Sequence, residues 1–295
     1  MHALQKIKQS IKSRQFTRRN RSVGGDLGLM LLLGGFALFS AYPLLYAINN
    51  AFKPMSELFL FPPKLFVQNP TLSNFFDLST IIGNSWVPFS RYMFNTLLIT
   101  VLGTFGTVLF GTMAAYPLAK YKFPGSQVMS NIIVYALMFN GSVTAIPNYI
   151  IMSKLGMVNT YWAVVLPVIG STLGLYLMKN FIVQIPMALI ESAKIDGASE
   201  MKVFWTVIIP RCKPAWITLC ILSFQTLWGA TGGNFIYSEN LKPISYSLSQ
   251  IIGGGIARTG VASVVSLIMM VVPVTVFVIS QSNVIETMAT SGMKD

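Results

Sequence analysis

Six stretches of this chain, residues 27–49, 92–119, 128–152, 161–178, 214–237 and 260–285, contain no Asp, Glu, Lys or Arg. Nothing else in the sequence restricts the fold as severely. Most of the six reach the ~20 residues that a helix needs to cross ~30 Å of hydrocarbon. A segment in lipid must satisfy its own backbone hydrogen bonds, and a helix does so internally. The sequence therefore predicts an all-α polytopic membrane protein with six transmembrane helices. Charged residues are 10% of the chain, against about 25% in soluble domains. That is too few to clothe a large water-soluble helical domain.

The net charge of +12 would suit a nucleic-acid partner if it were gathered on one face, but it follows the spans instead. With the N-terminus inside, six spans put both termini inside. Fifteen of the 21 Lys and Arg residues then fall on the cytosolic side and six outside, which is the positive-inside bias. Residues 1–24 read as a basic cytosolic tail attracted to the anionic lipid bilayer. The apolar run after them is too long for a signal peptide, so the tail is expected to be retained. Residues 25–285 read as the membrane domain and 286–295 as a cytosolic tail. No nucleic-acid partner is expected.

Chemistry-bearing residues are scarce. His2 stands alone among histidines, and Cys212 and Cys220 are the only cysteines. No His- or Cys-built metal site is available, and both cysteines read as small buried hydrophobes. No paired carboxylates or nucleophile–base pair lies in a span, so no catalytic residue is expected. GGGIARTG (253–260) is glycine-rich, but no Lys-Ser/Thr follows, so it does not make a phosphate-cradling loop. The span interiors also lack ionisable groups of the kind that ion-coupled carriers place at the midplane.

Charge is concentrated in one place. Three of the nine acidic residues, Glu191, Asp196 and Glu200, fall within ten positions of ESAKIDGASEMKVFWTVIIP (191–210), with Lys194 and Lys202 among them. Pro186 suits a first helical turn, where its missing amide costs nothing. PMALIESAK then makes a short helix with Met187, Ile190 and Lys194 on one face. Asp196-Gly197 is a turn pair, glycine supplying a positive φ. Ser199 caps a second helix, with Glu200 near its positive end, and Pro210 closes that helix. The stretch lies in the long cytosolic link between spans four and five, residues 184–213. A helix–turn–helix knob of this kind could fit a groove on another protein or lie as an amphipathic hairpin on lipid. Periodicity alone leaves both open.

Outside the membrane, residues 50–91 predict short interfacial helices and turns, with aromatics including Trp86 at headgroup level. AAYPLAKYKFPG (114–125) ends span two in a tight inner turn, and Lys120 and Lys122 are expected to reach the cytosolic surface. LKPISYSLSQIIGGG reads as an outer loop between spans five and six. Uncharged polar residues remain in the spans: Asn140 and Ser142 in the third, Gln225, Trp228 and Asn234 in the fifth. Amides and an indole suit the hydroxyls and C–H faces of a neutral sugar. They serve equally for hydrogen bonding between helices.

Glu191-Ser192-Ala193, Asp196-Gly197-Ala198, Phe204, Ile208 and Pro210 together resemble the EAA loop of ABC-importer permeases, with Ser192 where alanine is usual. AAYPLAKYKFPG and GMVNTYWAVVLP resemble the carbohydrate-uptake branch of that family, of maltose-permease G type, and so does the count of six spans. The resemblance covers most of the chain. It implies the type I importer permease fold, with the loop as the coupling helix that docks on a cytosolic ATPase subunit. Glu191, Ser192, Ala193, Asp196, Gly197, Ala198 and Pro210 would be its coupling residues. Asn140, Ser142, Gln225, Trp228 and Asn234 would be candidates for the translocation path. The implied partners are a second related permease, two ATPase subunits that bind ATP and Mg, an external solute-binding protein, and a carbohydrate substrate. A non-sugar solute is the alternative, and an ATP-independent secondary transporter a more distant one.

Overall fold

A computed structural model describes residues 23–83, 87–139, 141–255 and 258–292. Among the described residues every regular element is a helix. The first apolar block is α1 (Val23–Phe52). A segment of turns follows, holding the amphipathic α2 (Ser73–Gly83). The second block is the 32-residue α3 (Phe89–Lys120). The third is broken into α4 (Ser126–Ala136) and α5 (Gly141–Lys154), which are bent by 116°. The fourth is α6 (Trp162–Ile169) and α7 (Thr172–Val183), interrupted at Gly170-Ser171. After the short α8 (Met187–Ile195) comes α9 (Glu200–Arg211), which meets α10 (Lys213–Trp228) at 81°. Helix α11 (Ile244–Gly253) and the long α12 (Thr259–Gly292) complete the chain. Four helical stretches are long and apolar enough to cross a membrane, and the count reaches six when each bent pair is one span.

Helix α3 is the hub, packed against α6, α7 and α10, while α12 joins α10 to α1. The apolar sequence of α3 hides a buried polar stripe of Asn95, Thr96, Thr100, Thr107 and Thr112. The hydroxyls of Thr96, Thr107 and Thr112 donate back to the carbonyls of Tyr92, Gly103 and Val108, the usual refuge of threonine in a helix. Thr107 also reaches the Val168 carbonyl at 3.1 Å, beside the break in the fourth span. A Cβ on Gly103 or Gly106 would overlap Leu227 of α10 or Ile169 of α6. Small residues here let the helices approach where lipid supplies no hydrophobic drive between them.

Three readings of the sequence are corrected. The fifth helix stops at Trp228, and residues 229–237 form turns, with φ of 80° at Gly232 and 47° at Gly233. The apolar composition of 214–237 could not distinguish a helix from glycine-rich turns. The stretch read as a loop after it contains a helix, α11, because Ile244 and Ile251 bury one of its faces. Lys120 is half-buried and does not extend freely into solvent as the exposed Lys122 does. Its Nζ turns inward and donates to the carbonyls of Val183 (3.0 Å) and Ile185, which lie at and beyond the end of α7, where cations are favoured.

The segment between α1 and α3 is fixed by polar contacts. Buried Lys53 donates to Asn50 Oδ1 and the Lys64 carbonyl. Glu57 accepts the amides of Gln68 and Asn69. Asn74 Nδ2 donates to the carbonyls of Ala51 and Lys53. Short helical pieces do occur here, at Met55–Leu58 and in α2. Trp86 lies outside the described residues.

Candidate functional site

The charged stretch folds as a helix, a tight turn and a second helix. Helix α8 begins after Pro186, which sits one position before the helix with φ −60° and ψ 134°. Its end is a double hydrogen-bonded reversal: the amide of Ala198 reaches the Ala193 carbonyl (3.0 Å) and that of Gly197 reaches Lys194 (2.9 Å). This Schellman pattern requires a left-handed residue, and Gly197 supplies it at φ 78°. Ala193 and Ala198 close the turn and rest on the same apolar cluster, where larger side chains would hold the two helices apart. Ser199 then caps α9, its Oγ accepting the Lys202 amide.

Pro210 does not close α9. It lies inside the final turn, after a π-helical segment, Phe204–Ile208. Proline removes an amide and crowds the preceding turn. The wide turn upstream is a recognised way of taking up such a mismatch. The chain then bends at Cys212 into α10.

The inner faces of α8 and α9 are buried. Ile190, Val203, Phe204 and Ile208 form one cluster with Tyr116 of α3, Met178 and Ile182 of α7, and Leu219 of α10. The outer surface shows Glu191, Ser192 and Asp196, all exposed, around Ile195, which is 86% exposed at the apex. An apolar tip ringed by carboxylates suits insertion into a groove on another protein. Ile195 was not singled out from the sequence. Its register, one step off the Ile190 face, is the signal that could have found it.

Behind the knob lies a second arrangement that sequence reading missed. Lys194 Nζ is 2.5 Å from Glu200 Oε1, so the end of one helix is paired with the start of the next. Lys194 also donates to Tyr121 Oη at 2.9 Å. Tyr121 and Tyr116 each reach Glu200 Oε2 at 3.0 Å. The hydrogen bond from Lys194, aided by the two tyrosines, holds the Glu200 carboxyl below the usual carboxylate range. Its counterpart pushes Lys194 up to about 12.

The candidate path residues are spread over α5, α10 and the turns beyond it. Asn140 lies outside the described residues. Ser142 is exposed, at the start of α5 rather than in mid-helix. Gln225 is exposed on α10, and Asn234 is exposed in the turns beyond it. Trp228 is 3% exposed and stacks on Phe224 at 5.5 Å. Its indole N–H donates to the Met269 carbonyl at 2.9 Å. Met269 is four residues before Pro273, so this carbonyl lacks the helical amide that proline cannot provide. Trp228 thus repairs α12 and does not present its indole to a path.

The fold defines a multi-pass helical membrane protein with a helix–turn–helix knob between its fourth and fifth spans. The family model for the inner membrane component of binding-protein-dependent transport systems matches residues 107–288, and the chain belongs to that family. It is 35% identical to "Protein LplC" of Bacillus subtilis (strain 168), over 77% of this chain and 75% of that one. It is 27% identical to the galactooligosaccharides transport system permease protein GanQ of the same organism, over 90% and 94%. In three dimensions it resembles a chain of a bacterial ABC transporter involved in the import of the acidic polysaccharide alginate. The TM-score is 0.75 at 22% identity, over 90% of this chain and 99% of that one.

Proposed function

We propose that this chain is a permease subunit of an ATP-driven importer in a bacterial plasma membrane, and that its cargo is an oligosaccharide or modified sugar. The observation that carries the sugar reading is the near full-length match to a galactooligosaccharide permease. A relative 29% identical is named for polygalacturonan and rhamnogalacturonan transport, and another, 30% identical, for arabinooligosaccharides. In this reading both termini are cytosolic. A second related permease completes the path, an external solute-binding protein delivers the sugar, and two cytosolic ATPase subunits bind ATP with Mg and hydrolyse it.

The work of this chain is mechanical. Closure of the ATPase pair on ATP moves their grooves, and the knob seated in one of them moves too. The buried cluster beneath the knob ties it to α3, α7 and α10, so these helices rock together and the path opens alternately to the two sides. Glu191 and Asp196 orient the docked knob while Ser192 and Ile195 complete its contact surface. Gly197, Ala193 and Ala198 set its shape.

The test is a disulfide crosslink. With Cys212 and Cys220 replaced by alanine, an Ile195→Cys chain in native vesicles should be captured by a cysteine in the groove of a copurifying ATPase subunit. Absence of any such adduct would rule out docking through this tip. Uptake of a panel of labelled oligosaccharides, with binding to the copurifying solute-binding protein, tests the cargo. A receptor that binds only non-sugar solutes would overturn the carbohydrate reading and leave the importer reading intact.

A further inference from the structure

The knob is fastened to the inner end of α3 by polar contacts that its docking role does not require. Glu200, in the first turn of α9, accepts hydrogen bonds from Tyr116 and Tyr121 and pairs with Lys194 from the last turn of α8. Lys194 in turn reaches the hydroxyl of Tyr121 and lies 5.0 Å from its ring centroid. The residue next to Tyr121, Lys120, grips the carbonyls of Val183 and Ile185, just before α8 begins. Two consecutive residues at the end of α3 therefore hold both the chain entering the knob and the helix leaving it. Tyr116 is buried, with its ring 6.2 Å from that of Phe204 in α9, so one of the two tyrosines cannot move without disturbing the apolar seat.

An exposed ion pair adds little to stability, and stability is not what this geometry secures. Three separate chain segments converge on one carboxylate, which fixes the angle of the knob to α3. We propose that Lys194, Glu200, Tyr116 and Tyr121 are positioning residues forming a latch, through which movement of the docked knob reaches α3 directly and not only along the chain through α7 and α10. The proposal rests on the coupling reading above. It adds that α3, which touches α6, α7 and α10, is the helix driven first.

The test uses the intact transporter with its ATPase subunits, in a background lacking Cys212 and Cys220. Spin labels at Lys122→Cys, just beyond α3, and at Ile279→Cys, on the exposed face of α12, report the position of the inner end of α3. The probe is ATP with vanadate. The unaltered latch should show a shifted distance population when the nucleotide is trapped. In Glu200→Gln and Tyr121→Phe the ratio of shifted to unshifted molecules should fall at least ~5-fold, the lower end of ordinary coupling between sites. ATP hydrolysis and the Ile195→Cys crosslink should both persist, and Lys194→Arg, which keeps the ion pair, should retain the shift. Tyr121→Phe lacks a single oxygen and keeps the test usable should Glu200→Gln assemble poorly. A full shift in both variants, with the crosslink intact, overturns the latch and leaves the docking reading standing. No shift and no crosslink with the unaltered latch would defeat the docking reading itself.

Discussion

The two ends of α3 are fastened by different chemistry. At its N-terminal end, the outer one in the proposed orientation, the deepest contacts are neutral and buried, while nearer the surface Arg91 donates to the Asn240 carbonyl and Tyr92 to the Glu239 carboxylate. Asn95, 0% exposed, donates to the carbonyls of Asn240 and Lys242 at 2.8 Å each and accepts from Tyr161 Oη at 2.8 Å. Its neighbour Thr96 accepts the Ile244 amide. At the inner end the fastening is charged and partly open to water, and only its floor is apolar. A buried neutral network is costly to break and holds one geometry. An exposed charged cluster contributes little energy and can be remade after each movement. The Asn95 end is therefore built to stay fixed, and under the proposed coupling the Lys120 end is the one that moves and returns.

This contrast predicts an order of effects, the largest at the outer rim. Asn95→Leu strands the Lys242 carbonyl, leaves that of Asn240 to Arg91 alone and takes the acceptor from the Tyr161 hydroxyl, and should lower stability by about 2–3 kcal/mol, seen as a drop in the melting temperature of the purified complex. If that variant melts normally, the outer rim is not the rigid end. Trp228→Phe should cost about 1–2 kcal/mol by leaving the Met269 carbonyl unpaired, with the apparent affinity for transported sugar unchanged. Adding Pro273→Ala restores the helical amide and should recover part of the loss. A changed affinity with unchanged stability would return Trp228 to the path.

Gly197→Ala comes next. The added Cβ meets nothing within 4 Å, so only the left-handed backbone resists it, at ~1–2 kcal/mol. Membrane insertion should be normal, whereas Gly197→Asp should reduce uptake and ATPase stimulation at least ~5-fold. Normal uptake by Gly197→Asp would contradict the docking role. The smallest effect is that of the exposed pair on stability. The carboxyl of Glu200 is held below its ordinary 4.5 and the amine of Lys194 above its ordinary 10.5. The contribution of Glu200 is thus present above pH 4.5 and lost as the pH falls through its depressed value. That of Lys194 is present below pH 10.5 and lost as the pH rises through about 12. The melting difference between the parent and Glu200→Gln should be flat between those limits and vanish in acid. An inflection near neutral pH would mean that another group completes the cluster.

The knob was legible in the sequence because its determinants are local. The positive-φ glycine, the serine cap and the two small alanines all lie within seven positions, and the structure places each where its chemistry predicts. The latch was not legible, because the hydrogen bonds that join the knob to the two tyrosines span 73 to 84 positions and neither tyrosine is unusual in its own stretch. The spans were readable as apolar blocks, but composition does not record where a block breaks. Gly232 and Gly233 turn the end of the fifth into loops, and Trp228, read as a candidate for sugar contact, is spent on a proline gap 45 residues away. Asn234 and Ser142 shared that uncertainty, since a polar residue in an apolar block looks alike whether it faces a cavity or a neighbouring helix.

The wide turn at Phe204–Ile208 also sets a phase. An α-helix rotates about 100° per residue and a π segment less, so a Pro210→Ala chain in which these five residues tightened to ordinary pitch would swing everything before them around the axis of α9. Glu200 would then face away from Tyr121 while every residue of the knob kept its identity. The wide turn before Pro210 is, in this sense, a timing mark, and its loss would put the knob out of step with α3.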